Sequence, residues 1–434
     1  MEENLQNKEN VEENKIEEVQ NKVEEKETEK KESEDSNKVE IKETSAVDTK
    51  KVNYANRKLL DYNASWLTMF LYLGYLIVIF FVQKNTFESN ANILKNQYAF
   101  YFVSLIIGAC AAFVLHNLFK IIGAMVAGYK LLYINFFGLK VTSTDSGVKI
   151  KFQLTLDDFL STSMRFVSKD EKVEHKPLPI FLTGFLGDLI LVGICLALYF
   201  VTSKTSSMHY YAIYSLAYGL ILALYEFIPV RQDEPNDMYN IIRTISADDK
   251  KAYNAYYINV KREIDGNDPL VITFDNYESF YKSQALYFNY LDSLYNDNLE
   301  AALNYVQQMN YNIGYLPDND KYLATLEMIY LRFLVNDNEE ADKLYLSLKG
   351  ENKSACIRPS RLSGYKTAIL IMAFVVKDKD RLKTLVDGYK KILKSIENKE
   401  SRRLTCENKF FLDSYKLITS KHPEYNLPEE INLD

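Results

Sequence analysis

Four long apolar runs constrain this chain more than any other feature of its sequence. Segments 66–82 and 98–115 contain no charged side chain, whereas 178–201 contains only Asp188 and 210–230 contains only Glu226. Roughly 17 to 25 apolar residues are enough for an α-helix to cross the hydrocarbon core of a bilayer. The sequence therefore predicts a mainly α-helical, polytopic membrane protein with about four transmembrane helices.

The N-terminal segment 1–51 has the opposite composition. It contains 17 acidic residues, ten lysines and no aromatic residue, and its net charge of −7 equals the formal net charge of the whole chain. Such a segment cannot bury enough apolar surface to offset the entropy of ordering, so we expect a disordered acidic and Lys-rich tail. Because the remaining residues sum to zero charge, no nucleic-acid partner is expected. We predict three domains: the tail 1–51, a membrane domain 52–249 and a cytosolic helical domain 250–434.

The distribution of basic residues predicts the orientation in the membrane. Eight Lys and Arg residues occur in the loop 128–177, against Lys204 alone between the last two runs. Basic loops remain on the cytoplasmic side, which makes both termini cytoplasmic. The frequent Asn, Lys, Ile and Tyr residues are typical of low-GC bacteria and favour the cell membrane. Within the basic loop, KLLYINFFGLKV and VKIKFQL flank the turn-like TSTDSG, a pattern that predicts a small β-hairpin at the cytoplasmic face.

The C-terminal part repeats itself. YNDNLEAALNYV, VNDNEEADKLYL and VKDKDRLKTLVD align when Asp297, Asp337 and Asp378 are superposed, at separations of 40 and 41 residues. Self-similarity at this period predicts stacked helix pairs. We interpret 278–420 as a tetratricopeptide-like region that binds a cytosolic protein, although the tetratricopeptide period is nearer 34 and its WxxLGxxY pattern is absent. An irregular helical bundle is the alternative.

Ionisable residues inside membrane spans are costly and are therefore functional candidates. They are His116, Lys120, Asp188 and Glu226, with Asp237 just beyond the last run. His116 and Lys120 are four residues apart and share one helix face. Zinc proteases place two histidine ligands at this spacing, with a glutamate after the first histidine as the general base.

Three segments resemble the site-2 protease family of intramembrane zinc metalloproteases. VLHNLFKIIGAMVAGYKLLYINFFGLKV (114–141) is similar to the helix that carries the family's HExxH motif, with the cytoplasmic hairpin that follows it. TGFLGDLILVG (183–193) is similar to a Gly-rich stretch in a later span. FIPVRQDEPNDMYNII (227–242) resembles the segment whose aspartate is the third zinc ligand, a role that the resemblance gives to Asp237. The likeness covers roughly residues 97–245 and implies the membrane fold of that family.

The sequence departs from the family at the motif itself, which reads His116-Asn117-Leu118-Phe119-Lys120. The amide of Asn117 cannot accept a proton from a zinc-bound water, and the ammonium of Lys120 has no lone pair for a metal. Only His116 and Asp237 remain as metal ligands, whereas a catalytic zinc normally has three protein ligands. We expect that Lys120 replaces the metal charge and forms a salt bridge with Asp237, with Asp188 and Glu226 as rival acceptors.

The resemblance therefore predicts a catalytically inactive pseudoprotease that binds a transmembrane protein client and a cytosolic partner, without a cofactor. The alternative is an active intramembrane zinc endopeptidase with non-standard ligands. A transport function or a purely structural anchor is a third class.

Overall fold

The computed structural model describes residues 65–136, 138–152, 162–231, 235–316, 318–348, 350–359, 361–396, 402–428, 431 and 433. The predicted disordered tail 1–51 lies outside these residues. Within them the chain is mainly α-helical and contains one small antiparallel sheet.

In the part of the chain that the structure describes, three helices are long and apolar enough to cross a membrane: α1 (Ser65–Ser89), α2 (Gln97–Val126) and α3 (Leu178–Val201). They cover the first three predicted spans. The fourth predicted span corresponds to α4 (Ser207–Phe227), which contains five tyrosines and Glu226 and is not one of these three helices. The prediction of about four spans is therefore supported for three of them.

Helices α2, α3 and α4 all pack against one another, and the contact between α2 and α3 is the most extensive. Helix α1 joins this group through polar contacts between its side chains and its neighbours. The Tyr75 hydroxyl donates to the Ala217 carbonyl of α4 at 2.9 Å, and the Gln83 amide donates to the Phe100 carbonyl of α2 at 2.9 Å. These contacts fix how α1 lies against its two neighbouring helices.

The basic loop folds into a four-stranded antiparallel sheet. Its strands are β1 (Tyr129–Phe136), β2 (Leu139–Thr144), β3 (Gly147–Phe152) and β4 (Thr162–Ser168), in the order β3-β2-β1-β4. The predicted hairpin is present as β2 and β3, which pair from Leu139–Phe152 to Thr144–Gly147. Sequence reasoning missed β4, which pairs with β1 along its whole length, with a register shift between Leu131 and Tyr133.

The sheet has one apolar and one basic face, because neighbouring positions on a strand point to opposite sides. Cross-strand pairs align Ile134, Val141 and Ile150 on the apolar face. At the edge strand β3 this face is 65–67% exposed at Val148, Ile150 and Phe152. Alternating positions on β2 and β3 put Lys140, Lys149 and Lys151 on the other face.

The end of strand β1 lies beside α2 rather than beyond the end of that helix. The ring of Phe136, the last residue of β1, stacks on Phe113 with 4.3 Å between ring centroids. Phe113 is 13 residues from the end of α2 at Val126, which at 1.5 Å per residue is about 20 Å along the helix. The placement of the sheet at the cytoplasmic membrane face stays a prediction.

The C-terminal part is built from helices. They are α5 (Asp237–Thr244), α6 (Ala247–Asp265), α7 (Phe280–Tyr295), α8 (Leu299–Tyr311), α9 (Asp318–Leu334), α10 (Asn338–Ser347), α11 (Gly350–Ile357), α12 (Leu362–Leu370), a π-helical segment (Ile371–Val376), α13 (Lys379–Ser395), α14 (Arg402–Lys421) and a 3-10 turn (Pro423–Tyr425).

Three of the helix-to-helix turns share one backbone conformation. In each, a residue with positive φ precedes an N-cap whose side chain accepts a hydrogen bond from the backbone N–H three residues later. The positive-φ residues are Asp297, Asn336 and Lys377, and the N-caps are Asn298, Asp337 and Asp378. The sequence alignment was therefore wrong by one residue in the first repeat, where Asn298, not Asp297, is equivalent to Asp337. An Asp-Asn pair provides two residues that suit this turn, so the sequence pattern alone did not distinguish them.

The third turn contains one additional residue. The N–H of the N-cap bonds to a carbonyl five residues earlier at Asn298 and Asp337, but six residues earlier at Asp378. The π-helical segment before Asp378 accommodates this residue, because its hydrogen bonds span five residues rather than four. The helix pairs agree with a helical repeat, and the tetratricopeptide-like assignment stays a prediction.

Two apolar cores hold the C-terminal part together. One contains the repeat helices from α7 to α14. The other joins α3, the sheet, α5, α6 and α7, and includes Phe181, Tyr129, Tyr239, Tyr253 and Tyr281. The second core crosses the predicted domain boundary at 249/250, so packing continues from the apolar helices into the C-terminal helices.

Candidate functional site

Five ionisable side chains meet near the C-terminal end of α4. His116 and Lys120 lie on one face of α2, as their spacing predicts, and both are buried. Asp188 comes from α3, Glu226 from the last turn of α4, and Asp237 is the first residue of α5. The fold thus brings together all five ionisable residues that the sequence analysis singled out, including Asp237.

Two glycines allow α2 and α3 to approach closely at this point. A Cβ atom at Gly184 would lie 2.8 Å from His116 Cε1, and one at Gly187 would lie 2.6 Å from the Leu115 carbonyl oxygen. Real side chains do not tolerate these separations, so the Gly-rich stretch of α3 is what brings the helix against His116.

His116 is held between two carboxylates. Its Nδ1 lies 3.0 Å from Asp188 Oδ2, and its Nε2 lies 3.1 Å from Asp237 Oδ2. An ionised carboxylate only accepts hydrogen bonds, so both contacts are satisfied when each ring nitrogen carries a proton. The imidazole is thus oriented from both sides.

Lys120 forms a buried salt bridge with Asp237. Its Nζ lies 2.8 Å from Asp237 Oδ1, and both side chains are at most 5% exposed. The salt bridge expected from the sequence is therefore present. Burial would raise the pKa of Asp237, but the Lys120 ammonium and the His116 imidazole hold that pKa well below its usual range.

Glu226 and Asn117 each form a hydrogen bond with a backbone group. A general base or a metal ligand would instead direct its polar atom toward a water or an ion. Glu226 Oε2 accepts the backbone N–H of Asp237 at 2.8 Å, so it caps the start of α5. The Asn117 amide donates to the Phe113 carbonyl of its own helix at 2.9 Å. Asn117 therefore satisfies its polar group locally instead of joining the carboxylates.

The segment that presents Asp237 is fixed by residues that sequence reasoning missed. Asn236, 4% exposed, caps α5 by accepting from the Tyr239 N–H and donates to the carbonyls of Tyr225 and Ile228. The preference of Asn for the position before a helix was a usable signal. Arg231, 2% exposed, donates to the carbonyls of Gly314 at 2.8 Å and Leu316 at 2.5 Å. No local pattern indicated that contact.

The donor set does not suit a metal ion in this arrangement. Ligand atoms of His116, Glu226 and Asp237 lie within 4.8 Å of one another, which is compatible with three ligands by distance alone. However, Asp237 already contacts the ammonium of Lys120, which cannot donate electrons and repels a dication. Zinc would require its ligands to be released from these contacts, so the residues as arranged do not fit the ion that the resemblance implies.

Comparisons of the chain with protein-family models, with curated proteins and with solved structures find no match.

Proposed function

We propose that this chain is a membrane protein of the site-2 protease type that binds a membrane client without cleaving it. The observation that carries the proposal is the Lys120 Nζ to Asp237 Oδ1 distance of 2.8 Å. A protonated lysine supplies a fixed positive charge where the family has a metal ion, but it provides neither a Lewis acid nor an activated water. A buried pair of this kind is a neutral and stable end state rather than a catalytic one.

Two further contacts support the likeness to the family. His116 and Asp237 are 121 residues apart in sequence, yet they meet at 3.1 Å. The Gly-rich stretch that resembles the family's later span packs directly on His116. A common fold requires the three similar segments to meet at one buried point. Their separate sequence similarities do not imply that they do so.

The client would be a transmembrane segment, because two apolar surfaces of the chain are exposed. Helix α1 buries the smallest share of its apolar window among the three long helices. The apolar face of the sheet continues outward to the exposed β3 strand. We place the protein in the cell membrane with both termini cytoplasmic, and we assign the cytosolic partner to the helices of 278–420.

The first experiment measures the metal content of the detergent-solubilised chain. The wild type and Lys120→Met are purified in the same way, in the presence of a chelator. We expect both to contain well below one zinc ion per chain. After incubation with zinc and desalting, the wild type should remain free of zinc. Retention of one equivalent by the wild type would remove the proposal.

The second experiment tests binding rather than turnover. A photo-crosslinking amino acid at Ile150, on the exposed apolar face, should capture a membrane protein of full length. The same group at Lys149, on the opposite face of β3, is the matched control. Capture of a shortened client that becomes full length in a His116→Ala variant would instead identify the chain as a protease.

One observation favours the alternative of an active zinc endopeptidase. His116, Glu226 and Asp237 converge closely enough to offer three ligand atoms. In that case Glu226 would replace the second histidine of the family, and Lys120 would have to release Asp237. The zinc measurement separates the two functions without requiring a substrate.

A further inference from the structure

Helix α5 (Asp237–Thr244) turns its polar side chains inward and its apolar side chains outward. Its buried residues are Asp237, Tyr239, Asn240, Arg243 and Thr244. Ile242 is 42% exposed, and Ile245, which keeps a helical backbone at the C-cap, is 77% exposed. Met238, Ile242 and Ile245 are spaced by four and three residues and therefore share one face of the helix. A helix surrounded by water has the opposite arrangement, with its apolar stripe against the core.

The inward side chains of α5 have their polar partners within the protein. The Asn240 side-chain oxygen accepts from the Tyr281 hydroxyl at 2.7 Å, and the Thr244 hydroxyl donates to the Asn240 carbonyl at 2.7 Å. Arg243 lies 3.9 Å from Asp249, and Asp237 pairs with Lys120. In lipid, polar side chains face the protein interior in this way. The orientation of α5 is therefore the one expected of a helix whose outer face meets hydrocarbon.

Helix α5 lies beside the last part of α2. At its start, the Asp237 carboxylate lies 3.1 Å from His116, which is ten residues before the end of α2 at Val126 and thus about 15 Å from that end along the helix. After α5, Asn254 of α6 accepts from the hydroxyl of Tyr129, three residues beyond α2. The eight residues of α5, about 12 Å in length, therefore connect these two levels. The helix runs toward the end of α2 and not away from it.

The chain ends at the break between α4 and α5 are capped by side chains. Glu226 accepts the N–H of Asp237 at 2.8 Å. The Asn236 amide donates to the carbonyls of Tyr225 and Ile228, and its oxygen accepts from the N–H of Val230 at 3.2 Å. Irregular backbone at membrane depth needs such protein partners, because no water is present to satisfy it.

The exposed face of α5 lies at the same level as an exposed apolar face of α3. The two helices pack against each other, and Phe181 of α3 shares an apolar core with Tyr239 of α5. Leu178, Leu182 and Leu186 are four residues apart on one face of this half of α3, and all three are exposed. Because α3 is long and apolar enough to cross a membrane, its exposed leucines suit contact with acyl chains, and so does the neighbouring face of α5.

We propose that α5 lies inside the bilayer, as the second half of a membrane span that is broken after α4, and that its face of Met238, Ile242 and Ile245 contacts lipid acyl chains. The hydrocarbon region then extends to Ser246, the N-cap of α6, and the charged residues that follow begin the part exposed to water. In this position α5 separates the Asp237 carboxylate from water. The inference goes beyond the proposed function, because it holds whether or not the chain binds a client.

The test uses tryptophan fluorescence of the full chain in phosphatidylcholine liposomes. The chain contains one tryptophan, Trp66, so Trp66→Phe provides a silent background for Ile242→Trp or Ile245→Trp. Lys251→Trp, at an exposed position of α6, is the matched control. The quenchers are phosphatidylcholine brominated in its acyl chain and iodide in the water. We expect the brominated lipid to reduce the emission at both isoleucine positions about twofold and iodide to have little effect there. At Lys251→Trp the order of the two quenchers should be reversed.

A second measurement needs no substitution. The wild type is irradiated in liposomes that contain a phosphatidylcholine with a diazirine in its acyl chain, and the tryptic peptides 232–243 and 252–261 are compared by mass spectrometry. We expect lipid adducts on 232–243 and none on 252–261. Stronger quenching by iodide than by brominated lipid at either isoleucine position would show an aqueous face and overturn the proposal. Quenching by neither agent, or an absence of adducts on 232–243, would show that protein covers α5 and would also overturn it. The zinc measurement does not depend on where α5 lies, so the two proposals fail separately.

Discussion

Lys120 decides how the buried carboxylates are neutralised. It faces Asp237, while His116 lies between Asp237 and Asp188. An ammonium and a doubly protonated imidazole balance two aspartates, so the four groups need no additional cation. The helical offset between His116 and Lys120 could be read from the sequence. The pairing of Lys120 with Asp237, 117 residues further along the chain, was expected only from the resemblance to the protease family, with Asp188 and Glu226 as rival acceptors.

Replacing Lys120 with methionine tests this balance. Lys120→Met retains the length of the side chain but leaves Asp237 without its ammonium, and removing one partner of a buried ion pair typically costs about 3–5 kcal/mol. We expect a corresponding loss of thermal stability in detergent. Lys120→Met/Asp237→Asn should recover most of it, because the second change removes the uncompensated charge. A single variant as stable as the wild type would contradict the assigned role.

The same variant tests whether Lys120 is what excludes a metal. Without the ammonium, the ligand atoms of His116, Glu226 and Asp237 remain within 4.8 Å of one another. We expect zinc to raise the melting temperature of Lys120→Met but not that of the wild type, because binding to the folded state stabilises it. Lys120→Met/His116→Ala, which lacks one ligand, is the matched control and should lose the response.

At the scale of single elements, the repeated turns show how much a local pattern can predict. Helix–turn–helix units were correctly expected from the recurring Asn and Asp residues. The sequence did not predict which residue has positive φ, because three different residue types, Asp, Asn and Lys, occupy that position in the three turns. Asn and Asp tolerate this conformation, whereas lysine at Lys377 is unusual.

Lys377 therefore offers a stabilising substitution. Its φ of 58° favours glycine, which adopts the left-handed region without steric cost. We expect Lys377→Gly to increase the free energy of unfolding by about 0.5–1 kcal/mol. Lys379→Gly, two residues later in α13, should instead lower it by about 1 kcal/mol. If Lys377→Gly and Lys379→Gly shifted the denaturation midpoint equally, the positive φ assigned to Lys377 would be contradicted.

A second element-scale contact fixes the sheet to α6. Lys261 Nζ, nearly buried, lies 2.8 Å from Asp145 in the β2–β3 turn, 3.1 Å from Glu171 after β4, and 2.8 Å from Asp265. The hydrogen bond from Lys261 lowers the pKa of Asp145. The pKa of Glu171 is also lowered, because Arg262 and Lys261 outweigh the opposing effect of burial.

Lys261→Met should therefore change the acid response of the protein. Carboxyl groups with a lowered folded-state pKa stabilise the fold fully above their usual pKa of about 4, and this stabilisation is lost as pH falls. We expect Lys261→Met to be about 2 kcal/mol less stable near pH 7, because the half-buried Glu171 and the buried Asp265 lose the ammonium, whereas exposed Asp145 adds little. The pH-dependent part of this difference comes from Glu171, whose pKa is lowered. The difference from the wild type should shrink between pH 5 and pH 3. Lys149→Met, on the exposed strand β3, should show no such convergence.

At the scale of the whole molecule, Arg231 connects the buried cluster to the repeat helices. It precedes the capped segment that begins α5 and donates to carbonyls between α8 and α9. The Arg231 guanidinium also lies over the Phe280 ring at 5.6 Å from its centroid. The Asp237 segment is thus tied to the C-terminal helices through the contacts of Arg231.

Arg231→Met tests this connection. It removes the donors to the Gly314 and Leu316 carbonyls, and we expect destabilisation of about 3 kcal/mol because buried polar groups lose their partners. Hydrogen exchange should increase together in 312–316 and in 235–244, while 362–376 stays protected. The exposed Arg358→Met is the control. Faster exchange in only one of the first two segments would contradict the coupling.

The sequence by itself determined the helical class, three of the apolar spans, the β2–β3 hairpin and the residues of the buried cluster. Apolar run length, strand alternation and the cost of charge in a span are local properties, so they can be read along the chain. Only the tertiary structure decided that Lys120 pairs with Asp237 rather than with Asp188 or Glu226, that Glu226 caps α5 and that Arg231 reaches the repeat helices. Each of these contacts joins residues from separate elements, and their distances depend on how helices pack, which no local pattern encodes.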